Sequence, residues 1–199
     1  MIVKESNQHV HTLAFQQPKE GKSCCGDSFY IKTTENFMIC ALADGLGSGE
    51  RANESSAAIS SLVEKNYDED VDVLMHLCND ELKDKRGATV SILKFDFHTK
   101  SFTYSSVGNI RFMLYGPSGA FIYPLPILGY LSGKPQKYRT QTFTYEEGSK
   151  FIIYTDGLVL PGVRALLNKG NSVEDLSRQL DVYTNNRNDD LTYIVGQLF

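Results

Sequence analysis

Two strand-like stretches lie so close together in this chain that only one way of pairing is open to them. Ser28–Thr33 alternates polar and apolar residues, Asn36–Ala43 is a short continuous apolar run, and the polar turn Thr33–Asn36 joins them. A parallel pairing needs a crossover of roughly a dozen residues or more, so these strands must pair antiparallel. The pattern is unlike a Rossmann βαβ unit, although a glycine-rich loop follows directly, in ALADGLGSGE at residues 41–50.

The remainder of the chain builds on this pair. His9–Gln16 alternates in the manner of a strand. Glu50–Lys65 predicts a helix with Ala58, Ile59, Leu62 and Val63 on one face, and Asp70–Lys83 a second with Val71, Leu74, Met75, Cys78 and Leu82 at helical spacing. Residues 87–121 return to strands and read as a meander of hairpins, ATVSILKF, SFTYSSV and IRFMLY being separated or closed by turn sequences. Residues 124–136, PLPILGYLSGKPQ, hold too many prolines and glycines for a regular element and predict a surface loop. Gln141–Tyr145 and Lys150–Thr155 resume the strands, Ser172 opens a helix with Asp175 three residues on, and Leu191–Leu198 closes the series. Strands in two batches, with helices in separate pairs, predict an α+β chain of antiparallel sheets covered by helices, in a single domain over residues 1–199.

Composition narrows the function. A chain that is 41% hydrophobic can bury a core, while a net charge of -4 gives no footprint for nucleic acid or an anionic membrane, so neither is expected as a partner. Cys24, Cys25, Cys40 and Cys78 match no zinc spacing and predict free thiols in a reducing cytoplasm. No stretch approaches the roughly 18 apolar residues of a membrane span.

The loop ADGLGSGE admits several readings. A dinucleotide loop requires G-x-G-x-x-G, but Glu50 stands where the third glycine belongs, and the G-K-[ST] of a phosphate-binding P-loop is absent. A lone Asp-Gly is a turn signal. The device recurs, however. Asp27 opens a strand in CCGDSFY, Asp44 follows FMICALA, Asp156 follows FIIYT, and Asp189 with Asp190 precede LTYIVGQL. Ends of antiparallel strands can converge on one edge of a packed pair of sheets, where clustered carboxylates destabilise one another unless a cation joins them. His9, His11, His76 and His98 show no ligand spacing near these aspartates, so an oxygen-only set points to Mg²⁺ or Mn²⁺ rather than zinc. Two such ions about 3.5–4 Å apart are the usual apparatus of phosphate-ester hydrolysis.

The ordered series GDS, ADG, RGAT, VGN, TDG and DDLT, spread over nearly the whole chain, resembles the metal-dependent PPM/PP2C protein serine/threonine phosphatases. The resemblance implies a four-layer α/β/β/α sandwich and two Mn²⁺ or Mg²⁺ ions. It implies Asp44 as the ligand shared by both ions, Gly45 as a carbonyl ligand, Asp156 and Asp189 as ligands of one ion, and Asp27 acting directly or through water. Matching DDLT to D-N-x-[ST] selects Asp189 over Asp190. The short length and stretches such as ANESSAAI and GYLSGKPQKY are similar to the small stressosome members of the family. That likeness implies phosphorylated STAS-domain regulators of the stressosome as substrates for a chain expected to be a monomer.

Two departures from the family pattern stand out. Where many members carry a phosphate-gripping arginine five residues before the first acidic position, this chain has Lys22, a point charge without the bidentate fork. Where some carry a histidine after the Asp-Gly, it has Leu46, so protonation of the leaving group must come from elsewhere. Gly108 and Asn109 read as a turn between strands. Lys134, Lys137 and Arg139 are surface charges able to meet a phosphoprotein. A module that binds phosphoproteins without hydrolysing them is the main rival, and it would have no use for the carboxylate set.

Overall fold

A strand buried on both faces has no reason to alternate, and that explains the unbroken apolar run at residues 37–43. The computed structural model describes residues 1–185 and 188–199. Its elements are β1 (Ile2–Ser6), β2 (Val10–Gln17), β3 (Asp27–Thr33), β4 (Phe37–Gly45), α1 (Glu50–Lys65), α2 (Val71–Glu81), β5 (Ala88–Asp96), β6 (Ser101–Val107), β7 (Arg111–Tyr115), β8 (Phe121–Ile122), β9 (Gln141–Thr144), β10 (Lys150–Tyr154), α3 (Val163–Lys169), α4 (Val173–Leu180) and β11 (Leu191–Leu198). They form a six-stranded sheet in the order β1-β2-β11-β10-β7-β8 and a five-stranded sheet in the order β3-β4-β5-β6-β9. Helices α1 and α2 cover the smaller sheet, and α3 and α4 the larger, giving the four layers that the resemblance implies.

Period-two geometry sends successive β4 side chains to opposite faces. Met38, Cys40 and Leu42 join the core between the sheets, while Ile39, Ala41 and Ala43 pack against Ile59, Val63, Leu74 and Met75 of the helices. A third apolar layer, including Ile152, Leu167, Leu176, Leu180 and Val195, lies under α3 and α4. At the centre between the sheets, the Phe95 ring meets Phe102, Phe112, Tyr145 and Phe151, with centroids 5.0–6.4 Å apart. Among the described residues no helix is long and apolar enough to cross a membrane, and all four cysteines are free.

The structure departs from the sequence reading in four places. Residues 87–121 are not a simple meander: β5 and β6 form a hairpin, but β7 leaves for the other sheet and pairs with β10. The Gly108-Asn109 turn is therefore a crossing between sheets. The segment 124–136 is only partly a surface loop, because Leu131 is fully buried and exchanges backbone hydrogen bonds with Ala88 at 3.0 and 2.8 Å. Strand β1 and helix α3 are additional elements that the sequence reading does not contain. Asp44 and Gly45 belong to β4 rather than to the loop after it. The Ser172 cap forms as expected: its hydroxyl accepts the Asp175 N–H at 3.2 Å, while the Asp175 carboxylate reaches back to the N–H of Asn171 at 3.0 Å, one residue before the usual partner.

Phe95→Ala removes the ring shared by both sheets. It is expected to lower unfolding stability by about 3–5 kcal/mol, and Phe95→Leu by clearly less. Urea denaturation checks this, and equal losses for the two variants would mean that the ring is not the common support.

Candidate active site

The carboxylates come together because each sheet contributes one pair of adjacent strand ends. In the smaller sheet β3 begins with Asp27 and β4 ends near Asp44, and the antiparallel register sets the two directly opposite each other. In the larger sheet β10 runs out through Thr155 to Asp156, beside the point where Asp189 and Asp190 lead into β11; the Thr155 N–H donates to the Thr192 carbonyl at 3.0 Å. One side-chain bond joins the two pairs across the sandwich. The Thr155 hydroxyl donates to Asp27 Oδ2 at 2.8 Å and accepts the Thr192 N–H at 3.0 Å. Gly45 is held just as closely, for a Cβ there would lie 2.0 Å from the Ala52 carbonyl oxygen of α1.

The electrostatics of this edge are unfavourable to several negative charges. Burial, followed by repulsion from Asp27, Asp156, Asp189 and Asp190, pushes the Asp44 carboxyl up to about 8. Burial pushes Asp27 up to about 7 against the opposing hydrogen bonds of Thr155 and Thr192, with Asp190 and Asp156 adding to the rise. Asp156 is also raised, by burial and then by Asp189, while Asn109 and Arg111 pull the other way. Asp27 Oδ1 and Asp190 Oδ2 are buried without a hydrogen-bond partner. Orphaned buried carboxylate oxygens and mutual repulsion fit a hard divalent cation, which would satisfy both. Among the described residues no three acidic, histidine or cysteine groups form a tight cluster around one point.

The sequence-predicted residues fall into two places. Asp27, Asp44, Gly45, Asp156 and Asp189 share the acidic edge. Lys22 lies in an adjoining cleft of about 340 Å³ that Arg51 and Arg86 also line. Asp189 is exposed and accepts the Asp190 N–H at 3.0 Å, whereas Asp190 is buried, accepts the Lys19 N–H at 2.9 Å and rests against Gly26. Asp190 thus braces the segment 19–26, and Asp189 lies near enough to Asp156 to raise its carboxyl. Sequence reasoning missed Asn109, whose Nδ2 donates to Asp156 Oδ2 at 2.7 Å. Its VGN motif was the available signal, discounted because the strands around it looked like a hairpin.

Two antiparallel sheets between helix pairs, with carboxylates massed at one edge, define the PP2C class of phosphatase folds. Residues 35–199 match the Stage II sporulation protein E (SpoIIE) family, and the chain belongs to it. It is 61% identical over 198 residues to phosphoserine phosphatase RsbX of Bacillus subtilis (strain 168), with all of both chains covered. The crystal structure of RsbX in complex with magnesium matches it with a TM-score of 0.97 over 100% of each chain. A chain from a structure of the bacterial stressosome matches at 0.84 with 26% identity, over 95% of this chain and 100% of that one. The PP2C phosphatase domain of SpoIIE from Bacillus subtilis, at 18% identity, shares the fold with a TM-score of 0.78 over 99% of this chain and 69% of that one.

The raised carboxyls make the metal-free fold sensitive to pH. The folded chain keeps protons on Asp27 up to about 7 and on Asp44 up to about 8, whereas the unfolded chain releases them near ~4. The folded state binds more protons between these limits, so their stabilising contribution is full below the unfolded value and is lost as pH rises through the folded ones. Chelator-treated protein is expected to melt at a lower temperature at about pH 8.5 than at about pH 5.5, and Asp44→Asn to flatten much of that decline. An identical decline in the variant would remove Asp44 as its source.

Proposed function

We propose that this chain is a protein phosphatase that removes phosphate from phosphoserine and phosphothreonine with Mg²⁺ or Mn²⁺ as cofactor, the whole chain acting as one catalytic domain. The observation that carries this reading is the pairing of Asp27 with Asp44 at a buried strand end, beside Asp156 and Asp189 from the other sheet. Full-length identity of 61% to a phosphoserine phosphatase supports the same chemistry, and the magnesium complex of that relative supports the metal. The likeness to RsbX and to a stressosome chain supports phosphorylated STAS-domain stressosome proteins as substrates.

In this reading Asp44, the Gly45 carbonyl, Asp156 and Asp189 hold two ions, and Asp27 acts on one of them directly or through water. The bound ions supply an activated water and neutralise the phosphoryl oxygens. The protein's own part is positional. Thr155 holds one oxygen of Asp27, Asn109 holds one oxygen of Asp156, and both bonds cross between segments far apart in sequence. Lys22 offers a positive charge to the substrate phosphate, and Leu46 offers no proton.

Purified protein assayed on a phosphorylated STAS-domain protein should turn over only with Mg²⁺ or Mn²⁺ present. Asp44→Asn should reduce turnover by on the order of a hundredfold or more while circular dichroism stays that of the folded chain. Near-normal turnover in a folded variant would sink the metal assignment.

Choice among phosphoproteins must come from surface around the acidic edge, since the ions meet only phosphate oxygens. The segment 128–139 borders that edge through the Leu131–Ala88 hydrogen bonds and presents Leu128 and Tyr130, 88% and 47% exposed, with Lys134, Lys137 and Arg139. Tyr138 is already engaged, edge-on against His76 with centroids 4.4 Å apart. Replacing Tyr130, Lys134 and Arg139 together by alanine is expected to lower kcat/KM on the folded phosphoprotein several-fold and to leave para-nitrophenyl phosphate hydrolysis almost unchanged. Equal losses on both substrates would make the segment a support of the site instead.

A further inference from the structure

The cleft beside the acidic edge holds more positive charge than the family resemblance accounts for. Lys22, Arg51 and Arg86 line it with one carboxylate, Glu50, and among the described residues none of the three cations is in an ion pair. Three unpaired cations on the walls of one cleft repel one another, and an anion placed among them relieves that repulsion.

Arg86 also lies over the loop. Its Nη1 donates a long bond, 3.5 Å, to the Leu46 carbonyl, and a Cβ on Gly47 would lie 2.6 Å from the same nitrogen. Gly47 has φ 98°, so only glycine both adopts this backbone and leaves the guanidinium its place. The Leu46 N–H donates to the Gly87 carbonyl at 3.0 Å, which fixes the segment carrying Arg86 against the one carrying Asp44. Gly49, the N-cap of α1, also lines this cleft and makes no side-chain capping bond.

We infer that Arg51 and Arg86, with Lys22, form the seat for the phosphoryl oxygens of the substrate, Arg86 supplying the two-pronged grip that Lys22 cannot. A guanidinium meets two oxygens of a phosphate at once, whereas an ammonium meets it as a point charge. The inference rests on the phosphatase reading and adds to it the side from which the phosphate is held. The ligand chemistry is a phosphate monoester dianion, for which inorganic phosphate is the simplest probe.

The test uses full-length protein with Mg²⁺ present. Titration of inorganic phosphate followed by ³¹P NMR, and its inhibition constant against para-nitrophenyl phosphate hydrolysis, are measured for wild type, Arg51→Ala, Arg86→Ala, Arg86→Lys and the double alanine variant. All three cations are exposed, so melting temperatures should stay close to wild type. Each alanine change is expected to weaken phosphate binding and raise KM by about tenfold, with Arg86→Lys recovering only part. Unchanged phosphate binding in the double variant overturns the seat. So does a loss seen on a phosphoprotein but not with inorganic phosphate, which would mean that the cleft grips a neighbouring acidic side chain. Failure of the wild type to dephosphorylate any phosphoserine protein would count against the phosphatase reading instead, and the NMR titration would still report on the seat.

Discussion

Two carboxylates facing each other across neighbouring antiparallel strands are an unfavourable pair, and the rest of this molecule is arranged around Asp27 and Asp44. The pair cannot spread apart, because β4 is packed on both faces and Gly45 is pressed against the backbone of α1. Hydrogen bonds relieve it only in part: Thr155 binds one oxygen of Asp27, while among the described residues Asp27 Oδ1 and Asp190 Oδ2 find no partner. What remains is protonation or a cation, and Thr155, reaching over from the other sheet, holds Asp27 in place for either.

The glycine-rich loop takes on a different meaning in this setting. Two of its glycines serve close approach of other groups. Gly45 lets α1 come within contact of β4, and Gly47 leaves the room that Arg86 occupies. The alternation of glycines in DGLGSG thus reflects two packing demands, at Gly45 and Gly47, and at Gly49 a backbone with φ 75°.

Much of this was legible in the sequence where the signal was local. The short turn 33–36 determined the pairing of β3 with β4, helix α1 came out with its observed ends, and four aspartate positions were conspicuous because each falls at the end of a strand-like run. Where the deciding contact was distant in sequence, reading failed. Asn109 looked like a turn residue because nothing near it says that β7 belongs to the other sheet, and that assignment is what carries it to Asp156. Arg51 and Arg86 carry no local signal of a shared role; only folding brings them into one cleft with Lys22. The one hint in the sequence is Lys22 itself, standing where many family members carry an arginine. Asp190 was harder still, since one position separates a buried brace from an exposed carboxylate and no periodicity distinguishes them.

Strand β11 lies between β2 and β10, near the middle of the larger sheet, although it follows the sheet's other five strands in sequence. A ribosome releasing this polypeptide therefore delivers the sheet's inner partner after its flanks. Until residues 191–198 are available, β2 has β1 on one side and nothing on the other, and β10 is in the same position beside β7. Contacts spanning such long stretches of chain are slow to form. Asp189 and Asp190 arrive in the same late step, so a nascent chain has neither a closed sheet nor a full set of carboxylates, and the two are completed together.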